Sequence, residues 1–385
     1  MIQSSPRPGG RVEIYSGTAL TSYIDGDDEV LLCAFRVGTQ KVGSDGRIVL
    51  RESRDGGRSW MPVLSPLDAQ HAGELAPAAS NLQLAGPHIG SSADGTVVLV
   101  AARMRVVDEG EPGFDAQAAG IVDAECVLLR LRDGQWSEPV VLDGRRTPDE
   151  WAIPCGPPVD LGGGRWLAPA ERHAKAYMPE WLRNYHAFEL LSLDDGMSWS
   201  VAGPMLNDPD RGVVYYDQHV TRLDDGRLLA LAWVHDVIDD VTLTARAGWS
   251  DDEGSTWSAP RETWLRGGPA APVNLGGDRV IAAYPHRTGP ASVRVCISDD
   301  GGSTWDPASE FVVWDETTRT VTGAPADAPI ASGEPGPLWD TMWGWSFGLP
   351  TITALRDGTI GLAFYAMDPD GAPVVRFARL SVSAR

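Results

Sequence analysis

The chain has 385 residues, a formal net charge of −21, 43% apolar content, 43 glycines, 29 prolines and 15 tryptophans. Its acidic field repels phosphate backbones and anionic bilayers, which argues against nucleic-acid and membrane partners. So much Gly and Pro argues against a helical architecture and suits many short strands joined by tight turns.

Nothing after Met1 (Ile2, Gln3, Ser4) reads as a signal peptide, and no run approaches the ~20 apolar residues of a membrane span. The four cysteines, Cys33, Cys126, Cys155 and Cys296, stand far apart, without the close pairs of zinc or redox sites. Three of them lie in apolar runs and read as small buried hydrophobes, so a reducing compartment, the cytoplasm, is the expected location. Ligand spacing predicts neither a metal nor a cofactor, and the oligomeric state is not legible.

From the N-terminus onward, an apolar segment runs into a Gly turn and out again six times. The turns are Asp25-Gly26, Asp94-Gly95, Gly162-Gly163-Gly164, Asp225-Gly226, Gly276-Gly277-Asp278 and Asp357-Gly358. Asp-Gly between alternating apolar runs is the strongest short-range hairpin signal. About 50 to 80 residues separate successive turns, room for one four-stranded sheet with its loops.

A second repeat follows the first five turns. Ser-x-Asp-x-Gly-x-x-Trp occurs at Ser53 to Trp60, Ser250 to Trp257 and Ser298 to Trp305, one residue shorter at Ser192 to Trp199, and in worn form at Leu131 to Trp136. Asp accepts amide hydrogen bonds of its own turn, Gly supplies a conformation that a Cβ would obstruct, and Trp covers the hairpin with an apolar face. The Asp residues of these octapeptides are therefore structural. Repeats at this interval predict an all-β, six-bladed β-propeller of four-stranded antiparallel blades, one domain over residues 1–385. The strand that closes the ring is not identified by the pattern.

The octapeptides and hairpin spacing resemble the sialidase superfamily of Asp-box (BNR-repeat) propellers over essentially the whole chain. The resemblance places an active site at the starts of first strands and ends of second strands, with Gly turns and Asp-boxes at the opposite end. It also implies an Arg triad, an Asp acid and a Tyr nucleophile with a Glu partner, most of which are missing here. The first-Arg region reads Val12-Glu13-Ile14-Tyr15, and Phe35-Arg36-Val37 ends a second strand instead. The acid's place holds Gln40 and Lys41, with Asp45 nearby; Asp217 matches the Glu, and Trp233 lies near the second Arg position. Arg287 or Arg294 is a loose third Arg, and Leu349 stands where the nucleophile would be.

The rim positions nevertheless gather chemistry. Five of the seven histidines fall there: His88, His173, His219, His235 and His286. With them come Glu171, Arg172, Asp217, Asp236, Tyr215, Tyr216, Tyr284 and Arg287, and Arg36, Lys41, Arg103 and Arg105 at second-strand ends. Arg forks match carboxylates, His serves as acid or base near neutral pH, and paired carboxylates are the requirement for glycoside hydrolysis. Asp217 with Glu171 or Asp236 are the expected pair, with His219, His173 and Tyr216 as further catalytic candidates.

Substrate contacts are expected from Arg36, Lys41, His88, Arg103, Arg172, Trp233, His235, His286 and Arg287, and from Trp343 and Trp345 stacking on a sugar ring. The blander reading of those two tryptophans is a hydrophobic seam between the last and first blades. Thr317 to Pro337, Met178 to Trp181 and the acidic stretch Asp108 to Asp115 are expected as rim insertions.

Three functions fit this inventory. A glycoside hydrolase acting on an acidic or otherwise polar sugar ranks first. A uronate-directed lyase with a His/Tyr base and Arg neutralisation, and a non-catalytic glycan- or protein-binding propeller, are the alternatives. Fold alone decides none of them.

Overall fold

Each Gly turn closes a hairpin. Gly26, Gly95, Gly163, Gly226, Gly277 and Gly358 all hold positive φ between the two strands they join. The computed structural model describes residues 14–39, 43–64, 82–107, 121–143, 145–147, 150–174, 186–208, 213–236, 241–287, 290–325 and 346–382, with residue 2, 66–67, 111–112 and 239 between and before them. These residues contain no α-helix, only a 3-10 turn at Pro307–Ser309.

Six antiparallel sheets follow one another along the chain. Blade one is Ile14–Asp25, Asp28–Gly38, Arg47–Ser53 and Met61–Val63. Blade two runs from Leu82–Ser91 through Val97–Val106 and Ile121–Arg132 to short outer pieces, Gln135–Trp136 and Val140–Leu142. In blade three the inner strand is split into Glu150–Pro154 and Val159–Gly162, both pairing Arg165–Ala174, with His186–Ser192 and Ser200–Asn207 outside. Blade four has Val213–Arg222, Leu228–Asp236, Arg246–Ser250 and Arg261–Glu262; blade five has Ala271–Gly276, Arg279–His286, Ser292–Ser298, Phe311–Asp315 and Thr320–Pro325.

Among the described residues blade six has three strands, Gly348–Ala354, Ile360–Met367 and Pro373–Leu380, and its outer edge is met by Ile2, whose N–H donates to Val375 O at 3.0 Å. Ile2 is fully buried beside Phe35, Val37 and Tyr365, so the N-terminal end of the chain closes the ring between blades six and one.

A propeller has no central core, because each sheet buries both faces against its neighbours. The apolar clusters accordingly lie along the seams. Leu32 and Leu50 meet Leu99 and Leu129 between blades one and two, Leu167 and Leu206 meet Val214 and Trp233 between three and four, and Trp314 meets Phe347 and Phe364 between five and six.

The octapeptides sit as their chemistry requires. Asp55 Oδ1 accepts from the N–H groups of Arg58 and Ser59 at 2.9 Å, Gly57 N–H donates to Ser53 Oγ at 2.9 Å, and Trp60 Nε1 donates to Gly57 O at 3.1 Å. Asp194, Asp252 and Asp300 repeat the arrangement with Ser198, Thr256 and Thr304. Arg54 reaches Asp25 and Arg279 reaches Asp299, so turns and octapeptides share one end of the ring. First strands begin, and second strands end, at the other.

Candidate functional site

At that other end the inner strands of blades one, two, four and six carry the same irregularity. The register slips by one residue between Ser16 and Ala19, Ala85 and His88, Tyr216 and His219, and Gly348 and Thr351. Each slip is a β-bulge, a device that re-aims side chains beside binding sites. Its first inserted residue adopts positive φ in every case: Gly17, Gly86, Asp217 and Leu349. Glycine takes this conformation freely; Asp217 and Leu349 hold it at φ 42° and 43° with a side chain attached. Thr18 Oγ donates to Leu349 O and helps to pin the second of these.

Asp217 is the centre of the cluster. Its N–H donates to Glu171 Oε2 at 3.0 Å, bringing the end of a second strand in blade three against the start of a first strand in blade four. Protein surrounds the Asp217 carboxyl densely, yet the residue keeps some contact with solvent, as a group lining a depression does. Burial, then the Glu171 charge, push its pKa well above the ordinary carboxyl value, against the opposing pull of Arg287.

Arg287 approaches from blade five. Its Nη1 donates to Phe347 O at 2.9 Å, and its guanidinium lies 5.5 Å from the Phe347 ring centre. It also hydrogen-bonds Tyr365 at the end of the second strand of blade six. Burial lowers the Arg287 pKa to about 10, while Tyr365 and Asp217 favour its charge. Burial likewise raises the Tyr365 phenol above its usual value, opposed by Arg287. Gly348 makes this approach possible, since a Cβ there would lie 2.7 Å from Arg287 Nη2 and 2.8 Å from Tyr365 Oη.

Beside the carboxyl pair, His88 and His219 stand with ring centres 6.1 Å apart at right angles. Burial and the neighbouring His219 lower His88 to about 3, and burial lowers His219 to about 4, so both rings are neutral at physiological pH.

Other residues picked from the sequence lie elsewhere or are otherwise engaged. Arg36 is 1% exposed and donates through Nε and Nη2 to Gln83 Oε1 at 3.2 and 2.7 Å, clamping blade one to blade two. Tyr216 and Trp233 pack ring against ring, 5.5 Å apart, inside the seam between blades three and four. His235 is 1% exposed with Nδ1 3.4 Å from Thr242 Oγ1. Asp236 accepts from Asp239 N–H at 3.1 Å, and Arg103 Nε donates to Glu125 Oε2 at 2.8 Å.

Arg294 donates to Glu310 Oε2 at 3.0 Å, and Tyr284 donates to the other oxygen of that carboxyl, a buried group within blade five. Arg172 is half-buried opposite Ala152, and His286 is buried next to Arg287. Lys41, Trp343, Trp345 and the His173 side chain lie outside the described residues, as do Met178 to Trp181 and most of the other two predicted insertions.

Tyr365 and Gly348 are the participants that sequence reasoning missed. The signal was present, because Tyr365 ends an outgoing second strand, the position at which Glu171 and Arg287 were sought. Among the described residues, no group of three or more His, Cys, Asp or Glu side chains is assembled to hold a metal.

No protein-family model matches the chain, and no curated protein does. Solved structures do. A protein of unknown function from Dyadobacter fermentans superposes with TM-score 0.68 at 17% identity, covering 97% of this chain and 96% of its own. The Hadza microbial sialidase Hz136 gives 0.64 at 18%, over 95% of this chain and 66% of its own. The intramolecular trans-sialidase from Ruminococcus gnavus gives 0.62 at 12%, over 97% and 95%. The fold is that of the sialidases. Identities this low establish the six-bladed sialidase-like architecture and no particular activity. Within it, this chain has Leu349 where the resemblance expects a tyrosine.

Proposed function

We propose that the chain is a glycoside hydrolase acting on an acidic or otherwise polar sugar, with Asp217 as proton donor and Glu171 as its carboxylate partner. The observation that carries this reading is the pair itself: a carboxyl on a bulge at the rim, backed by a second carboxyl and with its pKa raised by burial and by that neighbour. A carboxyl whose pKa is raised beside a second carboxyl suits the role of general acid in glycoside hydrolysis. Asp217 delivers its proton to the glycosidic oxygen as the bond to the anomeric carbon breaks, and the leaving alcohol departs neutral. Glu171 supports the developing positive charge on the sugar, and water adds its hydroxyl to the anomeric carbon while its other proton passes to the Asp217 carboxylate, restoring the acid. Arg287, whose charge reaches both Asp217 and Tyr365, is the cation beside this pair and suits an anionic substituent.

Similar solved structures support a saccharide as ligand, since they include sialidases and the Trypanosoma rangeli sialidase holds sialic acid. The test is a panel of fluorogenic glycosides, including a sialoside, a glucuronide, a galacturonide and neutral sugars, assayed with wild type, Asp217→Asn and Glu171→Gln. Turnover of at least one member that collapses in both variants is expected. Turnover that survives both substitutions unchanged would sink the proposal, and ultraviolet absorption of unsaturated uronates would replace it with a lyase.

A further inference from the structure

His88 and His219 occupy equivalent places in two blades. Each follows the left-handed residue of its bulge by two positions, where blades one and six have Ala19 and Thr351. Blades two and four are not neighbours. Their histidines come within 6.1 Å because the inner strand of blade three, which separates them, is interrupted between Pro154 and Val159. Gly156 in that interruption lies so close to the Gln218 carbonyl that no side chain would fit. Three inner strands therefore bring two imidazoles together, one of them two residues along the strand from Asp217.

His219 is 7% exposed, and its Nδ1 is buried without a hydrogen-bond partner among the described residues. A buried ring nitrogen in that state requires a ligand or a water molecule to satisfy it. His88, by contrast, keeps part of its surface in contact with solvent, which gives the pair an accessible side.

We infer that His88 and His219 form a hydroxyl-binding floor, recognising an uncharged hydroxyl-bearing part of the ligand beside the carboxyl pair. Each neutral imidazole offers one donor and one acceptor, and a hydroxyl offers the same. A carboxylate offers acceptors only, so it can take the N–H of each ring but leaves both ring acceptors unmatched. The two rings therefore match a hydroxyl more completely than a carboxylate and leave an anionic substituent to Arg287. As a statement about substrate, this rests on the hydrolase reading; as a statement about binding, it does not.

The experiment uses the full-length protein with isotope-labelled histidines, reading both rings by NMR during separate titrations with ethylene glycol, the smallest vicinal diol, and acetate. The diol is expected to shift the His88 and His219 ring nitrogens while both stay neutral, and acetate to leave them unmoved. A response to acetate alone, tight binding of equimolar zinc to both rings, or no response to the diol would overturn the inference. With a glycoside that is turned over, His219→Phe is expected to lower kcat/KM about 10- to 100-fold, chiefly through KM. His219→Gln, which keeps a donor and an acceptor, should recover part of that loss, and the analogue lacking the bound hydroxyl should show little of it. If no glycoside is turned over while the diol response stands, the hydrolase reading falls and the floor survives. Turnover without a diol response has the opposite meaning.

Discussion

The two ends of the ring treat aspartate in opposite ways. At the octapeptide end, Asp55, Asp194 and Asp252 are held below the ordinary carboxyl value, chiefly by hydroxyl hydrogen bonds from Ser59, Ser198 and Thr256 and then by amides of the same turns. Arginines add a belt of ion pairs there: Arg132 to Asp195 at 2.7 Å, Arg54 to Asp25 at 2.8 Å, and Arg279 to Asp299 at 3.0 Å. At the rim, Asp217 has Glu171 beside it and is pushed upward. One end is made of groups content with their charge, the other of a group denied it. That contrast separates a stabilising surface from a reactive one, and perturbed groups of this kind gather at functional sites.

The sharpest way to break the contrast is Asp217→Asn. Turnover is expected to fall about 10²- to 10⁴-fold, the scale of a lost general acid. Stability should move the other way. A carboxyl whose folded pKa is raised binds more protons folded than unfolded, so it removes stability as pH rises from the unfolded value through the folded one. The amide escapes that loss, and Asn tolerates positive φ. The variant should therefore melt higher than wild type at pH 8, with the difference vanishing in acid. A melting temperature that falls at pH 8 would show that the Asp217 carboxylate stabilises the fold.

The opposite end is tested by Gly57→Ala. Gly57 holds φ 90°, and a Cβ there would lie 2.5 Å from Phe377 Cδ1 across the seam that joins blade one to blade six. Left-handed strain and overpacking together should cost about 3 kcal/mol or more. Chemical denaturation measures that loss, and KM on any working substrate should be unchanged because the rim is untouched.

The same contrast explains what was legible in the sequence. The octapeptides are local, so each carries its own hydrogen-bond partners within a few residues and repeats as a readable pattern; blade number followed from the six Gly turns that they accompany. The rim is non-local. Asp217, Glu171, Arg287 and Tyr365 come from four blades, and only the rule of strand starts and ends pointed to the first three. Burial could not be read at all: Arg36 and Glu171 both end second strands, yet Gln83 absorbs Arg36 while Asp217 draws Glu171 into the cluster. The bulges also escaped notice, because Gly17, Gly86, Asp217 and Leu349 share a backbone conformation and no residue type. Ile2 as the closing contact left no periodic signal either.

Glu189 sharpens the comparison from an unexpected side, since it is a raised carboxyl away from the rim. It is 3% exposed, and burial lifts it to about 8, although Trp257 Nε1 donates to its Oε1 at 3.2 Å across the seam of blades three and four. Its raised value means stability drains away as pH climbs from the unfolded carboxyl value toward 8. Glu189→Gln keeps an acceptor for Trp257 and removes the titration. It should raise stability by about one to a few kcal/mol at pH 8 and by little near pH 4. Equal shifts at both pH values would assign the effect to packing instead.

The smallest effect belongs to a single octapeptide, and its pH dependence should have the reverse sign. Burial alone would raise Asp300, but Thr304 and Ser298 outweigh it and hold the carboxyl below the usual value. Asp300 Oδ1 accepts from Thr304 N–H at 2.7 Å, Oδ2 accepts from Thr304 Oγ1 at 2.6 Å, and Ser298 Oγ completes the turn at 2.8 Å. Asp300→Ala removes these acceptors from a largely exposed turn, for about 1 kcal/mol after solvent screening. A lowered carboxyl contributes above its unfolded value and ceases to contribute as pH falls through the folded one. The deficit of Asp300→Ala should therefore be full at pH 7 and close as the pH falls through the lowered folded-state value. Because four other turns hold the ring beside it, the unfolding transition should stay single. A separate early transition would show that blade five unfolds on its own, and that the octapeptide end is a set of independent clasps rather than one cooperative surface.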